Sequence, residues 1–307
     1  MPLNFISLFS GIEAASMAWK PLGWNCLALA EIEPFPSAVL AYHYPDVPNL
    51  GDITKADWTQ FKGKCDVVVG GPPCQAFSIA GLRNSLQDER GNLSLEYLKV
   101  VDTINPRWVI TENVPGWLRT KDNAFGCFLA GLVGADTPLV SPLERGRWTD
   151  AGMVVGPKRA AAWRILDAQY FFLAQRRRRV FVVASPRNGG NPAAVLFERK
   201  SLSGNTPPVS ERTFFTFDTG ITSYGNASKN NILLGIDTAR LVTPLEVERA
   251  FGFSDNHTKI PWRGKPSEQC PDGSRYKALG NSMAVPVIFW LGKRIQQVED
   301  LINGKND

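Results

Sequence analysis

The chain has 307 residues and a formal net charge of +5, with 44% hydrophobic and 21% charged residues. These values suit a globular protein with one large core and a smaller second unit, and exclude a disordered or fibrous chain. No apolar run reaches the roughly 18–20 residues that cross a bilayer, and Met1-Pro2-Leu3-Asn4 puts no basic stretch ahead of an apolar one, so neither a membrane span nor a signal peptide is expected.

Residues 5–9 read as a strand, followed by a turn at Gly11 and a helix over 14–21. Residues 26–30 form a second strand ending in Glu31, and 35–44 a second helix. The run Asp66-Val67-Val68-Val69 is a third strand, leading into Gly70-Gly71-Pro72-Pro73-Cys74-Gln75-Ala76-Phe77-Ser78. Residues 108–111 form a strand that ends at Glu112-Asn113-Val114, and the strand over 180–184 is flanked by Gln175-Arg176-Arg177-Arg178-Arg179. Strand and helix alternating predict an α/β fold with a doubly wound, mostly parallel sheet. Ligands in such sheets bind beyond the carboxyl ends of the strands, and each of these motifs is assigned to a strand end. Past residue 184 the pattern breaks into a Gly/Pro/Asn/Ser-rich stretch over 185–210, a β-like stretch over 213–220 and a loop over 223–231. Helical periodicity returns at Thr243-Pro244-Leu245-Glu246, with Thr243 as N-cap and Pro244 at the first helical position. Residues 281–301 should fold back as a helix onto the first unit. The expected division is 1–184, a small strand-and-loop unit over 185–262, and a returning segment over 263–307.

The chemistry-bearing groups are a cysteine, an acid and an arginine cluster, the set needed to add a thiolate to a pyrimidine ring. Five scattered cysteines (Cys26, Cys65, Cys74, Cys127, Cys270) form no C-x-x-C pair, and with two histidines beside them no metal site is expected. Reduced thiols in a cytoplasm fit this pattern, and all but Cys74 read as small core residues. Residues 158–187 hold eight Lys or Arg and one acid, Asp167. Such a run is often a solvated face; beside an active site it reads as a track for a phosphate backbone.

In this order the motifs resemble those of the DNA (cytosine-5)-methyltransferases, most of all the solitary phage or prophage-borne kind. The match runs from Phe5 to about Val287 and leaves 132–158 and about 185–237 outside the motifs. The resemblance implies a Rossmann-like class I methyltransferase domain, S-adenosyl-L-methionine as cofactor, double-stranded DNA as partner and 185–237 as the target-recognition region. A cytoplasmic monomer is expected, without a partner endonuclease. Implied cofactor contacts are Phe9, Ser10, Gly11, Ile12, Glu31, Ile32, Asp52, Ile53, Pro73, Leu93, Asn281, Ser282 and Met283. Glu31 at a strand end suits the two ribose hydroxyls, with Glu33 as alternative. Ile32 would lie against the adenine, where the family often has an aromatic. Asp52 also reads as a turn residue after Gly51, and Asn281 also as a helix N-cap. The sequence departs from the family pattern at Ser7, where Asp is common, and at Glu13 and Ala14, where glycines are common.

Applied to cytosine, the resemblance gives the residues roles. Cys74, held behind two prolines, would add at C6, since a thiolate is a soft nucleophile and a good leaving group. Glu112, kept partly protonated by burial, would serve N3 and the 4-amino group. Arg177 or Arg179 would donate to O2; family spacing puts that on Arg179, with Gln175 and Arg177 in support. The base must be swung out of the duplex, and 75–92 would close over it. DNA contacts are expected from Gln75, Ser78, Arg83, Arg90, Arg176, Arg178, Arg212, Asn226 and Lys229, and a short recognition region implies a short target. Competing readings are an RNA cytosine-5 methyltransferase, a catalytically weak DNA-binding paralogue and an unrelated α/β oxidoreductase. The first lacks the Cys-Phe-Thr signature of tRNA-modifying relatives, the second leaves Cys74 and Glu112 unexplained, and the third leaves the motif order unexplained.

Overall fold

The computed structural model describes residues 2–73, 92–143, 146–197, 232–234 and 239–304. Its centre is a seven-stranded sheet in the order β2-β1-β3-β4-β7-β6-β5. The strands are β1 (Asn4–Leu8), β2 (Asn25–Ala30), β3 (Val67–Gly70), β4 (Trp108–Asn113), β5 (Ala151–Val155), β6 (Arg159–Asp167) and β7 (Arg178–Pro186). A two-stranded antiparallel pair, β8 (Ile232–Leu234) and β9 (Ala239–Leu241), lies apart from it. The helices are α1 (Ala14–Trp19), α2 (Pro34–His43), α3 (Leu93–Ile104), α4 (Ala124–Val133), α5 (Pro192–Leu196), α6 (Pro244–Phe251), α7 (Asp272–Gly280) and α8 (Val285–Ile302).

The α/β fold expected from the sequence is present, and the sheet is mixed. Strands β2, β1, β3 and β4 are parallel, whereas β7 runs antiparallel to β4, β6 to β7 and β5 to β6. The connection from β6 to β7 is too short for the crossover that a parallel pair needs, so the two form a hairpin. The reversal has a chemical consequence. The start of β7 lies at the carboxyl edge of β4, with Asn113 opposite Val180 and Glu112 opposite Phe181.

Period-two alternation puts successive residues of each strand on opposite faces. Val67 and Val69 face one apolar layer with Trp19, Ile288, Leu291 and Ile295; Val68 faces the other with Tyr97, Val101, Phe125 and Phe128. Helix α8 returns onto the first layer, as its sequence pattern predicts. Trp19 Nε1 donates to Ile288 O at 2.9 Å, and Trp108 Nε1 donates to Glu299 Oε1 at 2.8 Å. Helix α6 begins with Thr243 as N-cap in a full capping box with Glu246. Its Val247 and Phe251 share the core of α1 and α8. Asn281 is not an N-cap: it follows α7 as its C-cap, and α8 starts after Ala284. The β-like stretch over 213–220 lies outside the described residues.

Candidate active site

At the carboxyl edge of β1 the chain turns sharply. Phe9 and Gly11 have φ of 53° and 57°. Ser10 anchors the turn: its amide donates to Ala30 O at 3.1 Å, its Oγ donates to Ser7 O at 2.9 Å, and Ala30 N donates to Ser10 Oγ at 3.0 Å. The Gly11 amide donates to Glu31 Oε2 at 2.8 Å, and Glu31 Oε1 accepts from the Glu33 amide at 2.7 Å. Each Glu31 oxygen keeps a lone pair for a further donor, so the carboxylate orders the turn and still suits ribose hydroxyls.

These residues line a cavity of about 670 Å³, within the size range of cofactor pockets. Phe9, Gly11, Glu31, Ile32, Asp52, Ile53, Pro73, Leu93 and Asn281 all border it. Ser10, Ser282 and Met283 border a smaller adjoining cleft of about 50 Å³ that reaches Glu112. Ile12 borders neither and is fully buried. Asp52 Oδ1 accepts from Thr54 N and Oγ1, so its turn role is present alongside its place on the wall. Hydrogen bonds from Thr54 hold its carboxyl below the ordinary value. Ile32 is 67% exposed at the rim. The Glu31 carboxylate, with the apolar Ile53, Leu93 and Pro73 on the same walls, fits an adenosine.

Sequence reasoning missed the opposite wall. Trp262, Arg263, Ser274 and Lys277 also line the cavity. The Trp262 ring meets Phe35 edge-on at 5.3 Å, the Arg263 guanidinium lies 5.3 Å over the Trp262 ring, and Lys277 pairs with Glu33 at 3.0 Å. Glu33 is thus held in an ion pair at the rim. The tight turn at Arg263-Gly264 was the one sequence signal for this wall; nothing local points Trp262 at a cavity.

Next to the small cleft stands Glu112, the penultimate residue of β4. Arg179 Nε lies 3.0 Å from its Oε1, and both side chains are largely buried. Burial pushes the Glu112 carboxyl up from its ordinary value, against the opposing pull of Arg179 and Arg177. Arg177 is buried: it donates to Gly280 O at 3.1 Å and Ser282 O at 2.8 Å and lies 4.8 Å over the Phe251 ring. Burial first, and the Arg179 charge second, push its guanidinium down to about 9, so it stays charged at neutral pH. Gln175 is buried and donates to Ala250 O at 3.2 Å. Arg176 and Arg178 face outward, and Arg178 donates to Asp150 Oδ2 at 3.1 Å. Arg177 and Arg179 thus turn inward and Arg176 and Arg178 outward, although Arg176 and Arg177 precede β7.

Asn113 Nδ2 donates to Pro72 O at 3.1 Å, and Ser94 Oγ donates to Pro73 O at 3.1 Å. Both bonds fix the backbone that leads to Cys74. Cys74 itself, with Gln75, Ser78, Arg83, Arg90, Arg212, Asn226 and Lys229, lies outside the described residues. Among the described residues no cluster of His, Cys, Asp and Glu could hold a metal ion, and no helix is long and apolar enough to cross a membrane.

A family model described as C-5 cytosine-specific DNA methylase matches residues 3–132. The chain is 36% identical to a DNA N-6-adenine-methyltransferase of Escherichia phage P1 over 95% of its own length, and spans 61% of that protein. It is 32% identical to the type II methyltransferase M.AquIA of Picosynechococcus sp., over 60% of this chain and 73% of that one. The solved structure of S. pombe Dnmt2 methyltransferase aligns with a TM-score of 0.67 at 18% identity, covering 98% of this chain and 99% of the other, which shows the shared fold.

Proposed function

The chain belongs to the C-5 cytosine-specific DNA methylase family, and from that premise we propose that it moves a methyl group from S-adenosylmethionine to C5 of cytosine in double-stranded DNA. The observation that carries the reading is Glu112. A buried carboxylic acid, biased toward its protonated form and clamped by Arg179, opens onto the cleft beside the cofactor cavity. That is where an acid must sit to serve a base whose C5 faces the methyl donor.

The target base swings out of the duplex into the cleft, at a cost of about a few kcal/mol. The Cys74 thiolate forms a bond to C6, and the C5–C6 π pair shifts into the ring while Glu112 gives its proton to N3. Arg179 donates to O2, where negative charge would otherwise build. C5 is now an enamine-like carbon. The bound cofactor supplies the electrophilic methyl group that C5 accepts. A base or water then takes the C5 proton, the C6–S bond breaks to restore the double bond, and N3 returns its proton to Glu112. Arg176 and Arg178, on the outward face, meet phosphate.

The phage P1 relative is named for adenine. Methylating an amino nitrogen uses that nitrogen's own lone pair and needs no thiol, so a cysteine behind two prolines, with a buried acid at the neighbouring strand end, favours carbon as the acceptor. The test is to incubate purified protein with DNA and S-adenosylmethionine and identify the modified nucleosides by mass spectrometry, with bisulfite sequencing for context. The expected product is 5-methylcytosine, and DNA carrying 5-fluorocytosine should trap Cys74 covalently. N6-methyladenine alone, product on RNA alone, or an adduct at Cys65 or Cys127 would overturn the reading.

A further inference from the structure

The chain has two histidines, and they stack on each other. His43 of α2 and His257, in the segment between α6 and α7, lie with ring centroids 4.2 Å apart and planes 6° from parallel. Phe253 covers the His257 ring at 4.7 Å. His43 Nε2 is 2.7 Å from His257 O, so it carries the proton and donates. His257 is 2% exposed, and its Nε2 is 2.9 Å from Ile12 O. That acceptor is a carbonyl, which makes His257 the Nε2–H tautomer, with the lone pair on Nδ1, the nitrogen that has no partner among the described residues.

Ile12 lies between the cofactor turn and α1. On one side of it the Gly11 amide is committed to Glu31; on the other, the Ser16 amide at the helix start is taken by Glu13 Oε1 at 2.8 Å. The Ile12 carbonyl therefore receives its donor from His257, across 245 positions of sequence. The backbone beneath His257 is fixed on both sides. Glu248 of α6 accepts from Asn256 N at 2.8 Å and Thr258 N at 2.9 Å. A rigid, stacked imidazole thus aims one N–H at the carbonyl that sets the direction of the turn holding Gly11.

We infer that His257 is a positioning residue for cofactor binding: its Nε2–H, donated to the Ile12 carbonyl, holds the Phe9–Gly11 turn in the form that the cofactor cavity requires. Burial holds the imidazole down to about 4, so it stays neutral through the working range of pH. Without the donor the turn samples other states, and a ligand that needs only one of them binds in proportion to its population. The inference rests on the family's cofactor and not on the acceptor, so its test contains no DNA.

The experiment measures binding of S-adenosylhomocysteine, by calorimetry, to the 307-residue chain and two variants. His257→Phe keeps the stack and removes the donor; His257→Gln returns an amide N–H at the depth of Nε2. His257→Phe should weaken binding about tenfold, about 1.4 kcal/mol, and His257→Gln should restore it to within about twofold of wild type. Equal affinity in His257→Phe and wild type would overturn the inference, as would equal weakness of both variants, which would mean packing. If His257→Phe does not fold, 15N spectra of the unaltered protein decide. They should show His257 as the Nε2–H tautomer with a protected imino proton that shifts when S-adenosylhomocysteine is added. An Nδ1–H tautomer, or no shift on binding, would refute it.

Discussion

Replacing Arg177 by alanine should damage stability and cofactor affinity before it damages chemistry. The side chain joins the start of β7 to the turn between α7 and α8, by donating to Gly280 O and Ser282 O. That turn carries Asn281, Ser282 and Met283 on the cavity and cleft walls. Alanine leaves two buried carbonyls without this donor, at about 1–3 kcal/mol each, and forfeits the stack over Phe251, about 0.5–2 kcal/mol. Against this, removing a buried cation relieves its desolvation and its repulsion by Arg179, so the net loss should be about 3–4 kcal/mol. That is a large share of the roughly 5–15 kcal/mol that holds a domain together. Urea denaturation measures the loss, and calorimetry with S-adenosylhomocysteine should show weaker binding through the loosened turn. Arg179→Ala, at a less buried site, should change stability by less than about 1 kcal/mol and lower turnover instead. An Arg177→Ala protein that loses less than about 1 kcal/mol and binds cofactor normally would refute this assignment of the two arginines.

Glu112→Gln should slow single-turnover methyl transfer by about 10²–10⁴ while leaving S-adenosylhomocysteine affinity unchanged; near-normal rate would give the N3 proton to another group. Glu13 is fully buried, and desolvation raises its pKa above the ordinary 4.5. A raised carboxyl contributes stability that is fully present below 4.5 and lost as pH rises through the folded-state value, so Glu13→Gln should flatten the fall in urea stability between acid and alkaline pH. A pH profile parallel to wild type would mean that Glu13 ionises freely in the fold. Arg176→Gln and Arg178→Gln should each lower the slope of log K for DNA against log salt by about 0.9 with no change of preferred sequence. A change in the methylated sequence would show that these arginines read bases.

The first four strands, the returning α8 and the α6 cap were legible because each carries a local signal: apolar runs ending at a motif, a Thr-Pro-x-Glu box, an amphipathic stretch. The residues around Glu112 and the arginine run were legible for the same reason. What the sequence hid was decided by distant packing. Residues 159–167 begin Arg-Ala-Ala-Ala-Trp, a helical composition, yet form β6 because β7 and β5 pair on either side. Residues 124–133 are buried all round, so α4 shows no polar face to announce a helix. The wall at Trp262 and the donor at His257 act across more than two hundred positions, and no local pattern could have assigned them.

Glu13 shows how a local rule fails without harm to the site. A glycine would enter a left-handed turn without strain, and a side chain there costs about 1–2 kcal/mol. Glu13 nonetheless has φ of 64°. Its carboxylate accepts from Ser16 N at 2.8 Å and Ser16 Oγ at 2.9 Å, the N-cap bonds that an acid at a helix start supplies, typically about 1 kcal/mol. Its amide donates to Ser10 O at 3.0 Å, closing the turn. The side chain thus offsets most of the strain it introduces, and small Ser7 stands beside the buried carboxyl, where its hydroxyl favours the charged form against the dominant effect of burial. The turn keeps its course, and the Gly11 amide keeps its aim at Glu31. A residue-by-residue comparison with the family pattern scores Ser7 and Glu13 as two separate defects; in the fold they are neighbours in one compensated arrangement, which is why the cofactor cavity survives both.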